Sequence, residues 1–214
     1  AQVGDDFQIN PEQIELRYFG VLTKIFNVGR FASQFEFDGD LDTIPDDLEN
    51  EDKWILAEFS DLLEKAKAGY SELDIYTAAQ GIKTFSTGVF ASHWLEMAKT
   101  RLYNDDASAT WTLHRIFRDL LSILSPVCPF FTHHLSTTLY EKSSVEIDVF
   151  PESPISNTKS WTDITESLVD FNSVVWKAKK DAGVSLAAPI SGHNVPDSLK
   201  DIENALVSMH KLED

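Results

Sequence analysis

Apolar residues recur at helical spacing through most of the chain, and their breaks mark the elements. Residues 11–35 predict a long first helix, with Pro11 at a first-turn position and Glu12 and Glu15 near the positive end of the helix dipole. In "KWILAEFSDLLEKAKAGY", Ile55, Leu56, Phe59, Leu62, Leu63 and Ala66 share one face, and Gly69 reads as the stop of a second helix. Ser71, with Asp74 three residues on, reads as the cap of a third, running to Tyr103, where Gly81 and Gly88 predict a kink or close packing. "NDD" turns the chain, a fourth helix buries Leu113, Ile116, Phe117, Leu120, Leu121 and Leu124 before Pro126, and Pro129 opens a shorter fifth.

Five amphipathic helices with short connections predict a mainly α fold, an antiparallel helix bundle. After Lys142 the pattern changes. "SVEIDV" alternates like a short strand, "PESPISNTKS" reads as a linker, a helix covers "WTDITESLVDFNSVVWKAKKDAG", "VSLAAPI" is extended, and "PDSLKDIENALVSM" holds a last helix. The predicted organisation is a residual connection at 1–9, the bundle at 10–142 and a small α/β C-terminal subdomain at 143–214.

Composition adds exclusions. The 214 residues carry one cysteine, Cys128, so no disulfide forms within the chain, and the reducing cytosol is the expected setting. No apolar run reaches the roughly 18–20 residues of a membrane span. The opening residues lack the features of a signal peptide, and the chain begins without methionine, so a piece of a longer protein is expected. Six histidines include no pair at i, i+4, and neither a nucleophile elbow nor a phosphate-binding loop is present, so no catalytic or metal site is expected. "DGDLDTIPDDLE" has carboxylates at positions 1, 3, 5 and 12 of a calcium loop, but Thr43 stands where the turn needs glycine and Pro45 where an N–H is needed. A solvated acidic loop is the expectation.

The net charge of −17 argues against a nucleic-acid partner as an average, yet binding answers to the field within roughly 8–10 Å. Eight acids lie within residues 38–52 alone. At 100° per residue, the first helix places Ile14, Tyr18, Val21, Leu22, Ile25, Phe26 and Ala32 on a core side. The other side collects Gln13, Arg17, Gly20, Thr23, Lys24, Asn27, Arg30, Phe31 and Gln34, with no acid in its middle. Cations for phosphates, amides for base edges and an aromatic ring for stacking suit single-stranded RNA. The pattern alone leaves open that Phe31 packs against a neighbouring helix.

The stretch "KIFNVGRF" resembles the K-[LI]-[WF]-N-x-x-R-F signature of the anticodon-binding bundle of class Ia aminoacyl-tRNA synthetases, the archaeal-type valyl branch above all. "AAQGIKTFSTGVFASHWLEMAKTRLY", "LSPVCPFFTHHL", "VWKAKKDAGVSLAAPI" and "GDDF" are similar to further motifs of that branch. Departures are Ala91-Ser92-His93 for C-D-W, His133-His134 for a Glu pair, and Phe26 for Trp. The resemblance implies a cytoplasmic C-terminal fragment that contacts the anticodon stem-loop of tRNA(Val), reading the middle A and last C. Aminoacylation with ATP and Mg would belong to an absent catalytic domain of the same chain, and the fragment alone would be inactive. Arg17, Lys24, Asn27, Arg30 and Phe31 become the RNA-binding candidates. Lys99 and Arg101 also match, and at a helix end they serve either phosphate contact or structure. An isoleucyl or leucyl relative, or a helical protein-interaction scaffold with a calcium-binding acidic loop, are the alternatives. Lys177, Lys179 and Lys180 read as a solvated basic cluster.

Overall fold

The computed structural model describes Glu12 and residues 19–141, 149–156 and 158–213. The element order is α1 (Gly20–Ala32), α2 (Asn50–Ser71), α3 (Ile75–Thr84), a π-helical segment (Phe85–Trp94), α4 (Leu95–Leu102), α5 (Ala107–Leu124) and α6 (Pro129–Tyr140), the bundle helices. Then follow α7 (Lys159–Thr162), α8 (Thr165–Asp181), β1 (Ile190–Ser191), a 3-10 turn (Asp197–Ile202), α9 (Glu203–His210) and β2 (Leu212–Glu213). The two strands pair in parallel, Ile190 opposite Leu212. The architecture is the mainly α bundle that the periodicity predicts, with a two-strand sheet at its end.

The helix ends follow local chemistry. Asp106 caps α5 by accepting from the Ala109 N–H at 2.8 Å, and Pro129 opens α6. Asp74 caps α3 by accepting from Thr77, whereas Ser71 closes the helix before it. Gly69 does not stop α2, which runs two residues further and turns through Leu73 in the left-handed region at φ 60°. A side chain at Gly69 would meet the Asp74 carbonyl at 3.0 Å, so this glycine serves the close passage of α3 across α2.

The predicted third helix is three pieces. Between α3 and α4 the chain winds as a π helix, whose i to i+5 spacing brings Phe85 and Phe90 to one side. Phe85, Phe90 and Trp94 stack in a row, with centroids 5.8 and 5.4 Å apart and planes within 10°. Of the two glycines, Gly81 lies 3.2 Å from Leu62 at the position of an added Cβ, while Gly88 faces open space inside the π segment.

Trp54, Phe59, Phe90, Trp94, Trp111 and Phe117 are fully buried and centre the core. The core continues into Leu168, Phe171, Val175, Leu199 and Leu206 of the C-terminal elements. There the expected single helix is broken at Asp163 and Ile164, which lets the Thr165 hydroxyl receive the Trp54 indole N–H at 2.8 Å and donate to Glu58. "VSLAAPI" is largely turn, with only Ile190 in a strand, and most of "SVEIDV" lies outside the described residues.

Lys179 corrects the solvated basic cluster. It is 0% exposed and donates to the Leu186 carbonyl at 2.8 Å and the His210 carbonyl at 2.7 Å, fastening α8 to α9. Lys179→Met keeps the stem but leaves both carbonyls without this donor. It is expected to cost about 1–3 kcal/mol, read as earlier urea unfolding, with proteolytic cutting concentrated after Asp181.

Candidate nucleic-acid interface

Helix α1 buries Ile25, Val28, Gly29 and Ala32, an i, i+3, i+4, i+7 set. Gly29 allows this depth: a Cβ there would meet the Phe117 ring at 3.0 Å. The core side is therefore rotated from the expected one. Leu22 is only half-buried, and Phe26, expected in the core, is 37% exposed.

That rotation sorts the candidate residues. Thr23, Asn27, Arg30 and Gln34 form the exposed centre, and no acid interrupts them. Arg30 has no ion pair among the described residues, and the Gln34 amide folds back to donate to the Arg30 carbonyl at 3.3 Å. Lys24 and Phe31 lie on the flank that leans on the π segment and α4. The Lys24 ammonium donates to the Thr87 carbonyl and, at 2.9 Å, to the Ser92 hydroxyl. Burial lowers its pKa. Lys24 therefore ties α1 to the π segment, a positioning contact, rather than standing free for phosphate as expected. Arg17 lies outside the described residues.

Phe31 is half-buried. It meets Phe35 at 4.9 Å and Tyr103 at 6.1 Å, and Phe35 meets Tyr103 at 5.5 Å, all in edge-on geometry. The three rings make one cluster, so Phe31 is partly packed against neighbours and partly open. Its outermost member, Tyr103, was not singled out by the sequence pattern: it follows the last residue of α4, where helical phase carries no weight.

Lys99 and Arg101 separate. Lys99 pairs with Glu96 at 2.6 Å on the surface, with side chains 40% and 41% exposed, a pairing an arriving phosphate can replace at little cost. Arg101 is structural, and its candidacy for phosphate falls. Its guanidinium bonds Glu51 at 3.0 Å, Asp52 at 2.7 Å, Asp106 at 3.1 Å and Ser108 at 2.7 Å. Burial works against its charge, but hydrogen bonds and charges of Asp52, Asp106 and Glu51 outweigh that and raise its pKa. Asp52 also accepts from the Trp94 indole at 3.1 Å, and burial pushes its carboxyl upward against Arg101.

The acidic loop is organised by its own chain and by α5. Asp40 accepts from the Asp42 N–H and the Thr43 hydroxyl, an Asx turn, and Asp42 pairs with Arg118 at 2.7 Å. Among the described residues no cluster of His, Cys, Asp or Glu has the geometry to hold a metal ion, and no helix is long and apolar enough to cross a membrane.

A family model described as the anticodon-binding domain of tRNA ligase matches residues 52–193. The valine–tRNA ligase of Saccharolobus solfataricus is 31% identical over 193 residues, covering 89% of this chain and 23% of the relative. That of Aeropyrum pernix is 31% identical over 226 residues, covering 99% and 27%. That of Pyrobaculum aerophilum is 29% identical over 228 residues, covering 100% and 27%. The chain thus spans about a quarter of the length of these relatives. Helix α1 precedes the residues matched by the family model but lies within the relatives' coverage.

Proposed function

Because this chain belongs to the family of tRNA-ligase anticodon-binding domains, we propose that it holds the anticodon stem-loop of tRNA(Val) against the exposed face of α1. Within a longer valine–tRNA ligase, that grip would set the register of the tRNA toward a separate catalytic domain, where valine, ATP and Mg would be used. The observation that carries the reading is the acid-free exposed row of Thr23, Asn27, Arg30 and Gln34 on a protein of net charge −17. Arg30 offers a planar cation to phosphate, and Asn27 offers both a donor and an acceptor to a base edge. Phe31 borders them. Lys99 is a second phosphate candidate, because its surface pair with Glu96 is readily exchanged.

The test is a titration of RNA hairpins bearing valine, isoleucine or leucine anticodon loops across a range of salt. Preference for the valine loop supports the reading. Preference for another loop reassigns the chain to an isoleucyl or leucyl relative, and no binding removes the function. Arg30→Ala is expected to weaken binding and to reduce the magnitude of the salt slope by about 0.7, the share of one phosphate on single-stranded RNA. An unchanged slope would take Arg30 out of the interface. Arg30 is a cleaner probe than Phe31, whose half-buried ring also supports the fold.

A further inference from the structure

Tyr103 follows α4 directly, and its ring is 62% exposed although it is held from two sides. Phe31 and Phe35 meet it edge-on, at interplanar angles of 90° and 66°. Its hydroxyl has no hydrogen-bond partner among the described residues, whereas Tyr70 donates to the Ile123 carbonyl at 2.7 Å and Tyr140 contacts His114 at 3.2 Å. The backbone beneath it is fixed. The Tyr103 N–H donates to the Lys99 carbonyl at 3.0 Å, and the Asp106 N–H reaches back to Arg101 at 3.1 Å. Arg101, two residues before it, is bound to three carboxylates. A large ring is thus held at the surface, with little side-chain entropy left to lose and, among the described residues, no partner for its outer side.

We propose that Tyr103 is the outer stacking ring of this interface, on which one unpaired base of the anticodon loop lies, with Phe31 and Phe35 bracing it from beneath. The proposal rests on the anticodon reading and assigns the stacking to a different residue from the one the sequence pattern favours. Phe31 then acts mainly as a positioning residue for Tyr103. The surrounding charge fixes which part of the RNA comes here. A groove of about 550 Å³ beside the ring cluster is bordered by Glu36, Asp38 and Asp105, which repel phosphate. The neutral face of a base is the part of the strand that can approach Tyr103, while the backbone is drawn toward Arg30, next in sequence to Phe31. Stacking of this kind accepts any base, so base choice stays with edge contacts such as those Asn27 can make.

The experiment titrates this chain and its Tyr103→Ala, Tyr103→Phe and Tyr103→Trp variants with an RNA hairpin carrying a valine anticodon loop. The control is the same stem closed by a fully paired end. Tyr103→Ala is expected to bind roughly 5- to 100-fold more weakly, with a melting temperature and salt slope like those of the parent, because a stack neutralises no phosphate. Tyr103→Phe is expected to keep the affinity. The indole of Tyr103→Trp is expected to be quenched by the open loop and not by the paired control. If the chain binds the loop and Tyr103→Ala binds it equally well, Tyr103 is not the stacking ring while the anticodon reading stands. If the parent chain binds no hairpin, both fall. Should Tyr103→Ala melt early, quenching of Tyr103→Trp by the open loop decides: its presence supports the proposal and its absence overturns it.

Discussion

Arg101→Met is expected to lower the unfolding free energy by about 3–5 kcal/mol at neutral pH, because it strands Asp52 as a buried charge without its partner. Asp52 is wholly buried, and after the substitution only neutral donors, the Trp94 indole at 3.1 Å, the Glu49 N–H at 3.3 Å and the Ser108 hydroxyl at 3.4 Å, would oppose its desolvation. The pH dependence separates this cause from a simple loss of packing. Burial already raises the Asp52 carboxyl above its ordinary value of 3.8, and without Arg101 it would rise further. A group whose folded pKa is raised favours the folded state below its unfolded value and loses that contribution as pH rises through the folded one. The deficit of Arg101→Met should therefore shrink as pH falls through the raised pKa of Asp52 toward 3.8. Urea unfolding of both proteins at several pH values measures it. A deficit independent of pH would mean that the guanidinium matters for its bulk alone. Arg101→Met with Asp52→Asn removes both charges, and most of the loss should return.

The second large effect is expected where the C-terminal elements meet the bundle. Asn172 of α8 donates to His93 Nδ1 at 2.8 Å and accepts from His210 Nε2 at 2.7 Å. Trp176 packs on both imidazoles, at 5.4 and 5.8 Å. His93 must be neutral to accept from the amide. His210 uses its one proton on Asn172, and its Nδ1 is buried with no partner among the described residues. Burial, with Lys24 behind it, lowers the pKa of His93. Burial, with Lys179, His193 and His93, lowers that of His210 to about 4. The sign follows from the shift: a histidine with a lowered folded pKa is stabilising above its unfolded value, 6.5, and that stability is lost as pH falls toward about 4. A loss of about 2–3 kcal/mol is expected across that window. His210→Gln should flatten the pH profile, and Asn172→Leu should cost about 2–4 kcal/mol at neutral pH by orphaning both rings. Equal stability at pH 7.5 and 5 would show that these imidazoles are not held neutral by the fold.

Local signals carried much of the fold. The turn at "NDD", the apolar face of α5, Pro126 and Pro129 each act through neighbouring residues, so they read correctly in sequence. The π segment could not be read that way. Its aromatic residues recur at five and four rather than four and three, and a 100° period scatters them. The face of α1 was mis-phased for a related reason: Gly29, at the centre of the buried side, carries no hydrophobic signal, so Phe26 took its place.

Of the candidate interface, Asn27 and Arg30 were legible as exposed polar residues on a helix. The work of Lys24 was not, because Thr87 and Ser92 stand more than 60 residues away. Arg101 belongs to the same class: Glu51 and Asp52 are about 50 residues upstream, and nothing in the motif around Arg101 points to them. Tyr103 depends on three elements meeting, which no single pattern reports.

The π segment makes the chain between Lys24's acceptors and Tyr103 a calibrated spacer. Its wider turns determine how far round the axis α4 begins, and hence which way Arg101 and Tyr103 point. Losing one residue between Phe85 and Trp94, Gly88 for instance, would favour ordinary α winding and swing everything beyond it by about a quarter of a turn. A length change too small to notice in a loop would here misalign a carboxylate clamp and a surface ring together, so this stretch should tolerate exchanges of residue far better than insertions or deletions.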